Sequence, residues 1–188
     1  LQDMKLPFEE LEDPSARAAD LIAAGNIIGW FQGRMEAGAR ALGNRSILAN
    51  PCIAEMKDIV NNYVKHREPF RPFAPAILLE RVGDYFEDAL PVPFMERVFD
   101  IRKERRGEIP AVTHVDGTGR LQTVSREQNP RFYELIKELE SRTGVPVVLN
   151  TSFNIRGEPI VCSPADAIRC FYSTGMDALI IDSFLLKK

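Results

Sequence analysis

A chain of 188 residues with 45% hydrophobic and 27% charged side chains holds enough apolar material for one globular core and too little for several. Its formal net charge of -3 excludes a broadly cationic surface that would coat nucleic acid, so any anion chemistry has to come from local clusters of Arg and Lys. Cys52, Cys162 and Cys170 lie far apart with no C-x-x-C spacing, which argues against a zinc site or a disulfide framework and for a reducing cytoplasm. No apolar run reaches the ~18 residues of a membrane span, and the N-terminus carries no secretion signal. The chain opens at Leu1 rather than at methionine and reads as part of a longer protein.

Residues 1–14 mix acidic, apolar and proline positions without a period, and Pro14-Ser15 then opens an Ala-rich helix over 16–24 with Gly25 as its stop. Residues 27–31 predict a buried strand, 33–43 a polar loop with three glycines, and 46–49 a second short strand. Met56, Ile59, Val60, Tyr63 and Val64 recur at helical spacing over 54–65, and a proline-punctuated stretch over 69–75 leads into the apolar run 76–79. A strand is expected over 94–101, and 109–115 with 121–124 predict a hairpin around Asp116-Gly117-Thr118-Gly119. Asn129-Pro130 opens a helix to about Arg142, and 145–149 is a buried strand. Ser163 caps a helix with Pro164 in its first turn, and 178–181 is a last strand. Interleaved helices and strands predict an α/β (α+β) domain, a mixed sheet covered by helices.

Three constellations carry chemistry. Over 33–46, three arginines and three glycines let backbone approach a ligand while Arg34, Arg40 and Arg45 offer guanidinium forks to phosphate or carboxylate oxygens. The spacing is not that of a Walker A loop. A solvated loop whose arginines pair with Glu36 accounts for the same residues. Over 65–75, Lys65, Arg67 and Arg71 leave a helix and enter a proline-stiffened segment, which places charge reproducibly for a polyanion, although cations at a helix C-terminus also answer its dipole. Asn150, Thr151, Ser152 and Asn154 sit at the end of a predicted strand, where open sheets bind ligands, and equally form ordinary turn chemistry. His66 and His114 lack carboxylate or cysteine neighbours at metal spacing, so no metal site is expected.

In this order the segments read G-R-x-E-x-G-x-R-A-L-G-x-R-S, K-x-R-E-x-x-R-P-x-A-P, P-A-x-x-H-x-D-x-x-x-R-x-Q (from Pro110 to Gln122) and N-T-S-F-N. Together they resemble the C-terminal domain of the NodU/CmcH-type O-carbamoyltransferases over about residues 27–184. Ala39 stands where that family usually carries proline. The resemblance implies a YrdC-like fold over 15–188, a twisted mixed sheet with a concave basic cleft, and makes 1–14 a linker from a missing N-terminal domain. In the related threonylcarbamoyl-adenylate synthases a K-x-R and S-x-N pair marks the nucleotide site, a pattern matched by Lys65 with Arg67 and Ser152 with Asn154.

It further implies ATP with Mg²⁺ and carbamoyl phosphate as ligands and carbamoyl-adenylate as product. The carbamoyl group is then passed to an acceptor hydroxyl by an N-terminal actin-like domain, often metal-bearing. On that reading Lys65, Arg71 and Arg40 are catalytic. Arg34, Arg45, Arg67, Arg120, Ser152 and Asn154 join them in binding, with Arg67 either anchoring the cleft electrostatically or pairing with Glu68. No membrane partner is expected, and nucleic acid is disfavoured by the charge. Two rivals remain, a noncatalytic YrdC-like module that binds double-stranded RNA or protein, and a threonylcarbamoyl-adenylate synthase.

Overall fold

The computed structural model describes residues 5–188. Among them nine strands make one mixed sheet in the order β1-β9-β8-β2-β3-β7-β4-β6-β5. These are β1 Glu9–Glu10, β2 Ile28–Phe31, β3 Arg45–Ala49, β4 Ala74–Leu78, β5 Arg97–Asp100, β6 Thr118–Val124, β7 Val147–Ser152, β8 Ala178–Ile181 and β9 Phe184–Lys187. The β2/β8 and β4/β6 pairs are parallel and the others antiparallel.

The helices are α1 Pro14–Ala23, α2 Met56–Ile59, α3 Val82–Tyr85, α4 Pro130–Thr143 and α5 Pro164–Tyr172. Their starts follow from local chemistry. Asp13 accepts the Ala16 N–H at 2.9 Å and Asn129 the Phe132 N–H at 3.1 Å, each just before a proline at the first helical position, where a missing N–H costs nothing. Ser163 and Asp166 form a reciprocal capping box on α5. Gly144, at φ 75°, ends α4 in the left-handed conformation.

The pleat sorts neighbouring residues to opposite faces, so both sides of the central strands can be buried. Leu48, Val148 and Ile180 face α1 and α4, meeting Ala18, Ala19, Ile22, Leu135, Ile136 and Leu139. Ile47, Val147 and Leu179 face the other layer, with Val60 and Val64 beyond α2 and Ala167 and Phe171 of α5. Each such aliphatic side chain contributes roughly 1.5–3 kcal/mol by leaving water.

Two sequence expectations change here. Residues 109–115 are not a strand. Pro110–Val112 forms a single 3₁₀ turn, and β6 pairs antiparallel with β5 and parallel with β4 instead of closing a hairpin. The cause is local, because the Asp116 carboxylate accepts both the N–H and the hydroxyl of Thr118 and so starts the strand there, while the Ala111 N–H is drawn to the Pro51 carbonyl at 3.1 Å. Within the stretch expected as a linker, Glu9 and Glu10 pair with Leu185 and Phe184 and Leu11 is buried. Residues 1–4 lie outside the described residues. No helix among the described residues is long and apolar enough to cross a membrane.

Gly43 closes the β2–β3 loop at φ 107°, its carbonyl accepts Trp30 Nε1 at 2.9 Å, and a Cβ there would clash with the Phe132 ring. Gly33, in the same loop at φ 48°, has nothing within 4 Å of that position. Gly43→Ala is therefore expected to cost about 2–4 kcal/mol through backbone strain and overpacking together. Gly33→Ala should cost about 1 kcal/mol through strain alone. Urea midpoints with unchanged slope check both values.

Candidate functional site

The β2–β3 loop is held from within. Glu36 Oε1 accepts the N–H groups of Leu42 at 2.7 Å and Asn44 at 2.8 Å, and Asn44 Nδ2 donates to the Arg34 carbonyl at 2.9 Å. Glu36 thus pins backbone rather than pairing with the loop arginines. Arg45, the first residue of β3, is buried, stacks 3.5 Å from the Phe31 ring centroid, and spends its guanidinium on the carbonyls of Gln32, Gly33 and Asn44. Arg34 is exposed on the loop.

Beyond α2 the chain widens into a π-helical turn, Val60–Lys65, and leaves it through His66 in the left-handed region at φ 48°. This geometry drives Lys65 inward. Its Nζ donates to the Ser152 carbonyl at 2.8 Å, the Asn154 carbonyl at 2.8 Å, Asn154 Oδ1 at 2.7 Å and the Ser152 hydroxyl at 3.3 Å. Burial, reinforced by the neighbouring Arg67, pulls the Lys65 ammonium down to about 7. Asn61, fully buried on the same turn, orients the next cation. Its Oδ1 accepts Arg67 Nε at 2.7 Å and its Nδ2 donates to the Arg71 carbonyl at 3.1 Å. Arg67 also lies over the Phe73 ring at 4.8 Å, and it pairs with Asn61 rather than with Glu68. Glu68 instead meets Arg71 at 3.4 Å and Arg156 at 3.7 Å.

Two adjoining hollows, sharing Arg67 and Ser152, form a cleft beyond the C-terminal end of β7. One is lined by Arg40, Arg67, Phe73, Met95, Arg120 and Asn150 among others, the second by Lys65, Arg71, Asn154 and Arg156. Among the described residues Arg40, Arg67 and Arg120 form no ion pair. They strain one another: burial and then Arg71 and Arg120 hold Arg67 down to about 10, and burial with Arg40 lowers Arg120. Arg120 Nε is buried without an acceptor. On the floor Asn150 donates to the Ala41 carbonyl at 3.1 Å and to Gln122 Oε1 at 2.7 Å.

Of the residues named from sequence, the structure brings Arg40, Lys65, Arg67, Arg71, Arg120, Ser152 and Asn154 to one cleft. It does not bring Arg34 or Arg45 there. Arg45 is turned aside because it begins a buried strand whose incoming loop leaves three carbonyls in need of donors. Sequence reasoning assigned no role to Asn61 or Gln122 and left Asn150 without one. At α-helical spacing Asn61 falls beside Lys57, Asp58 and Lys65, so the sequence carried no signal for its burial, which the π-helical turn creates.

A helix-covered mixed sheet with a cationic cleft at strand ends, closed by a K-x-R and S-x-N lock, defines a YrdC-like α/β domain. The fold is similar to that of full-length HypF, solved in a phosphate- and nucleotide-bound form (TM-score 0.61, 18% identity, 96% of this chain and 22% of that one). The chain belongs to the family described as Carbamoyltransferase C-terminus, which matches residues 19–188. It is 52% identical to nodulation protein NolNO of Sinorhizobium fredii over 97% of its length and 27% of that protein's. It is 37% identical to the 3'-hydroxymethylcephem-O-carbamoyltransferase of Amycolatopsis lactamdurans over 85% of its length and 30% of that enzyme's. The chain therefore spans about a third or less of these two relatives, and its family is one of transferase enzymes.

Lys65→Met leaves the carbonyls of Ser152 and Asn154 without their donor, so it should lower stability by about 1–3 kcal/mol near neutral pH, more than a surface lysine would. The folded-state value of about 7 lies below the ordinary 10.5. Between the two the unfolded chain holds more protons than the folded one, so this group's contribution rises with pH through that window and is flat below it. Urea unfolding should show the Lys65→Met deficit wider at pH 9 than at pH 6.5 by on the order of 2 kcal/mol. A deficit independent of pH would mean that the buried ammonium keeps its charge.

Proposed function

We propose that the cleft binds MgATP and carbamoyl phosphate and makes carbamoyl-adenylate, which an N-terminal domain of a longer chain passes to an acceptor hydroxyl. The observation that carries this reading is the group of three guanidiniums, Arg40, Arg67 and Arg120, that form no ion pair among the described residues and of which Arg120 lowers Arg67 and Arg40 lowers Arg120, in a chain whose net charge is negative. Such a cluster is relieved only by an incoming anion, and two phosphorylated substrates supply several. The named activity of the Amycolatopsis relative and the phosphate- and nucleotide-bound form of HypF support the same chemistry.

In this mechanism water splits carbamoyl phosphate into carbamate and phosphate. A carbamate oxygen then attacks the α-phosphorus of ATP, and the bond to the β-phosphate oxygen breaks to release pyrophosphate. The protein's work is positioning and charge neutralisation. Arg40, Arg67 and Arg120 hold phosphate oxygens, and Arg71 and Arg156 flank the second hollow. Lys65 holds the Ser152–Asn154 turn in place, which makes it a positioning residue first. Mg²⁺ would be carried by the nucleotide's phosphates, where it would share their negative charge with Arg40, Arg67 and Arg120.

Given carbamoyl phosphate, Mg²⁺ and labelled pyrophosphate, the protein should exchange label into ATP, and mass spectrometry should find carbamoyl-adenylate or AMP that depends on carbamoyl phosphate. ADP as the sole nucleotide product would place attack at the γ-phosphate and overturn the reading. Arg40 is exposed and makes no hydrogen bond or ion pair among the described residues, so Arg40→Ala should weaken nucleotide binding by ~1.5–3 kcal/mol while leaving the melting temperature within about a degree. Calorimetry and a thermal melt check the two halves of that expectation.

A further inference from the structure

Asn150 is 1% exposed, lines the cleft, and has an amide orientation that backbone groups dictate. The Leu42 carbonyl accepts Gln122 Nε2 at 3.0 Å, so Gln122 must turn its Oε1 the other way, where it accepts Asn150 Nδ2 at 2.7 Å. The second hydrogen of that Nδ2 goes to the Ala41 carbonyl at 3.1 Å. A flipped Asn150 would set its own oxygen against two others. Both amide hydrogens are therefore spent inside the protein, and Oδ1, buried and without a hydrogen-bond partner among the described residues, is what this side chain has left for the cleft.

An orphaned buried acceptor is costly unless a ligand or water supplies a donor. The charged side chains around it, Arg40, Arg67 and Arg120, are donors only, and Arg120 Nε is likewise unpaired. The matching ligand carries anionic oxygens beside a neutral N–H donor. A carbamoyl group joined to phosphate has that pattern, and a neutral amide can accept its N–H without repelling the phosphate, as an aspartate would.

Resting on the function proposed above, we propose that Asn150 Oδ1 accepts a hydrogen bond from the carbamoyl NH₂ and makes the cleft select carbamoyl over acyl groups of the same shape. Asn150 is then a specificity-determining residue, and Gln122 is the positioning residue that keeps its oxygen turned to the ligand.

The test compares carbamoyl phosphate with acetyl phosphate, which replaces NH₂ by CH₃, by calorimetry on the 188-residue chain, with MgATP titrated separately. Wild type should prefer carbamoyl phosphate by roughly tenfold to a hundredfold. Asn150→Ala should bring that ratio close to one while MgATP affinity stays within about twofold. Gln122→Leu, which frees the Asn150 amide without touching the lining of that hollow, should reduce the ratio severalfold, and it decides the matter if Asn150→Ala does not fold. An unchanged ratio in the folded variants overturns the assignment. A loss of MgATP affinity at constant ratio also overturns it, by giving Oδ1 to the adenine amine. Wild type that binds neither phosphate compound nor MgATP fails the proposed function itself, a result distinct from either of these.

Discussion

The buried Lys65 ammonium is the tie on which the cleft depends. It joins the end of a helix to the end of β7 across 87 and 89 residues of sequence, through oxygens of Ser152 and Asn154. Backbone carbonyls at a strand end are otherwise left to water, and here water is largely displaced, so a cation with several donors is the natural replacement. The π-helical turn serves this arrangement. One extra residue per turn rotates Lys65 inward, and the left-handed His66 then releases the chain toward Arg67 and Arg71. The K-x-R and S-x-N patterns are thus two halves of one lock, and the same lock sets where Arg67 stands.

Around that tie the protein keeps like charges close together. Asn61, a neutral acceptor, fixes Arg67 without neutralising it, and Phe73 offers its ring face. Carboxylates are kept to the rim, where Glu68 serves Arg71 and Arg156. Mutual repulsion and burial make such a cleft less stable than one with paired charges, and on the proposed function an anionic ligand would return that free energy as affinity.

Rigidity comes from devices that consume polar groups without using charge on charge. Glu36 closes the glycine loop on backbone N–H groups, the Gln122–Asn150 relay clamps the same loop from beneath through the Leu42 and Ala41 carbonyls, and Arg45 fills the space behind it. Positions Arg40 and Arg45 are five residues apart and chemically alike, yet one faces the cleft and the other the interior. The difference lies in the loop's turn at Gly43, beyond which β3 begins and side chains alternate between faces.

What the sequence by itself determined is whatever is written in local chemistry. The helix openings at Pro14, Asn129-Pro130 and Ser163-Pro164, the apolar runs that became β2, β3, β4, β7 and β8, and the ordered motifs that mark the family all act over a few residues. Strand order, the pairing of β6 with β5 instead of a hairpin, and the addition of the short strands β9 and β1 beyond β8 were decided by tertiary structure, since they depend on which partners remain after the core closes. The same holds for the site. Sequence could count the arginines, but only packing could send Arg45 to three carbonyls and leave Arg120 and Asn150, which line the cleft, each with a buried hydrogen-bonding atom unmet among the described residues, because a polar group's role is set by which neighbours have already claimed its donors and acceptors.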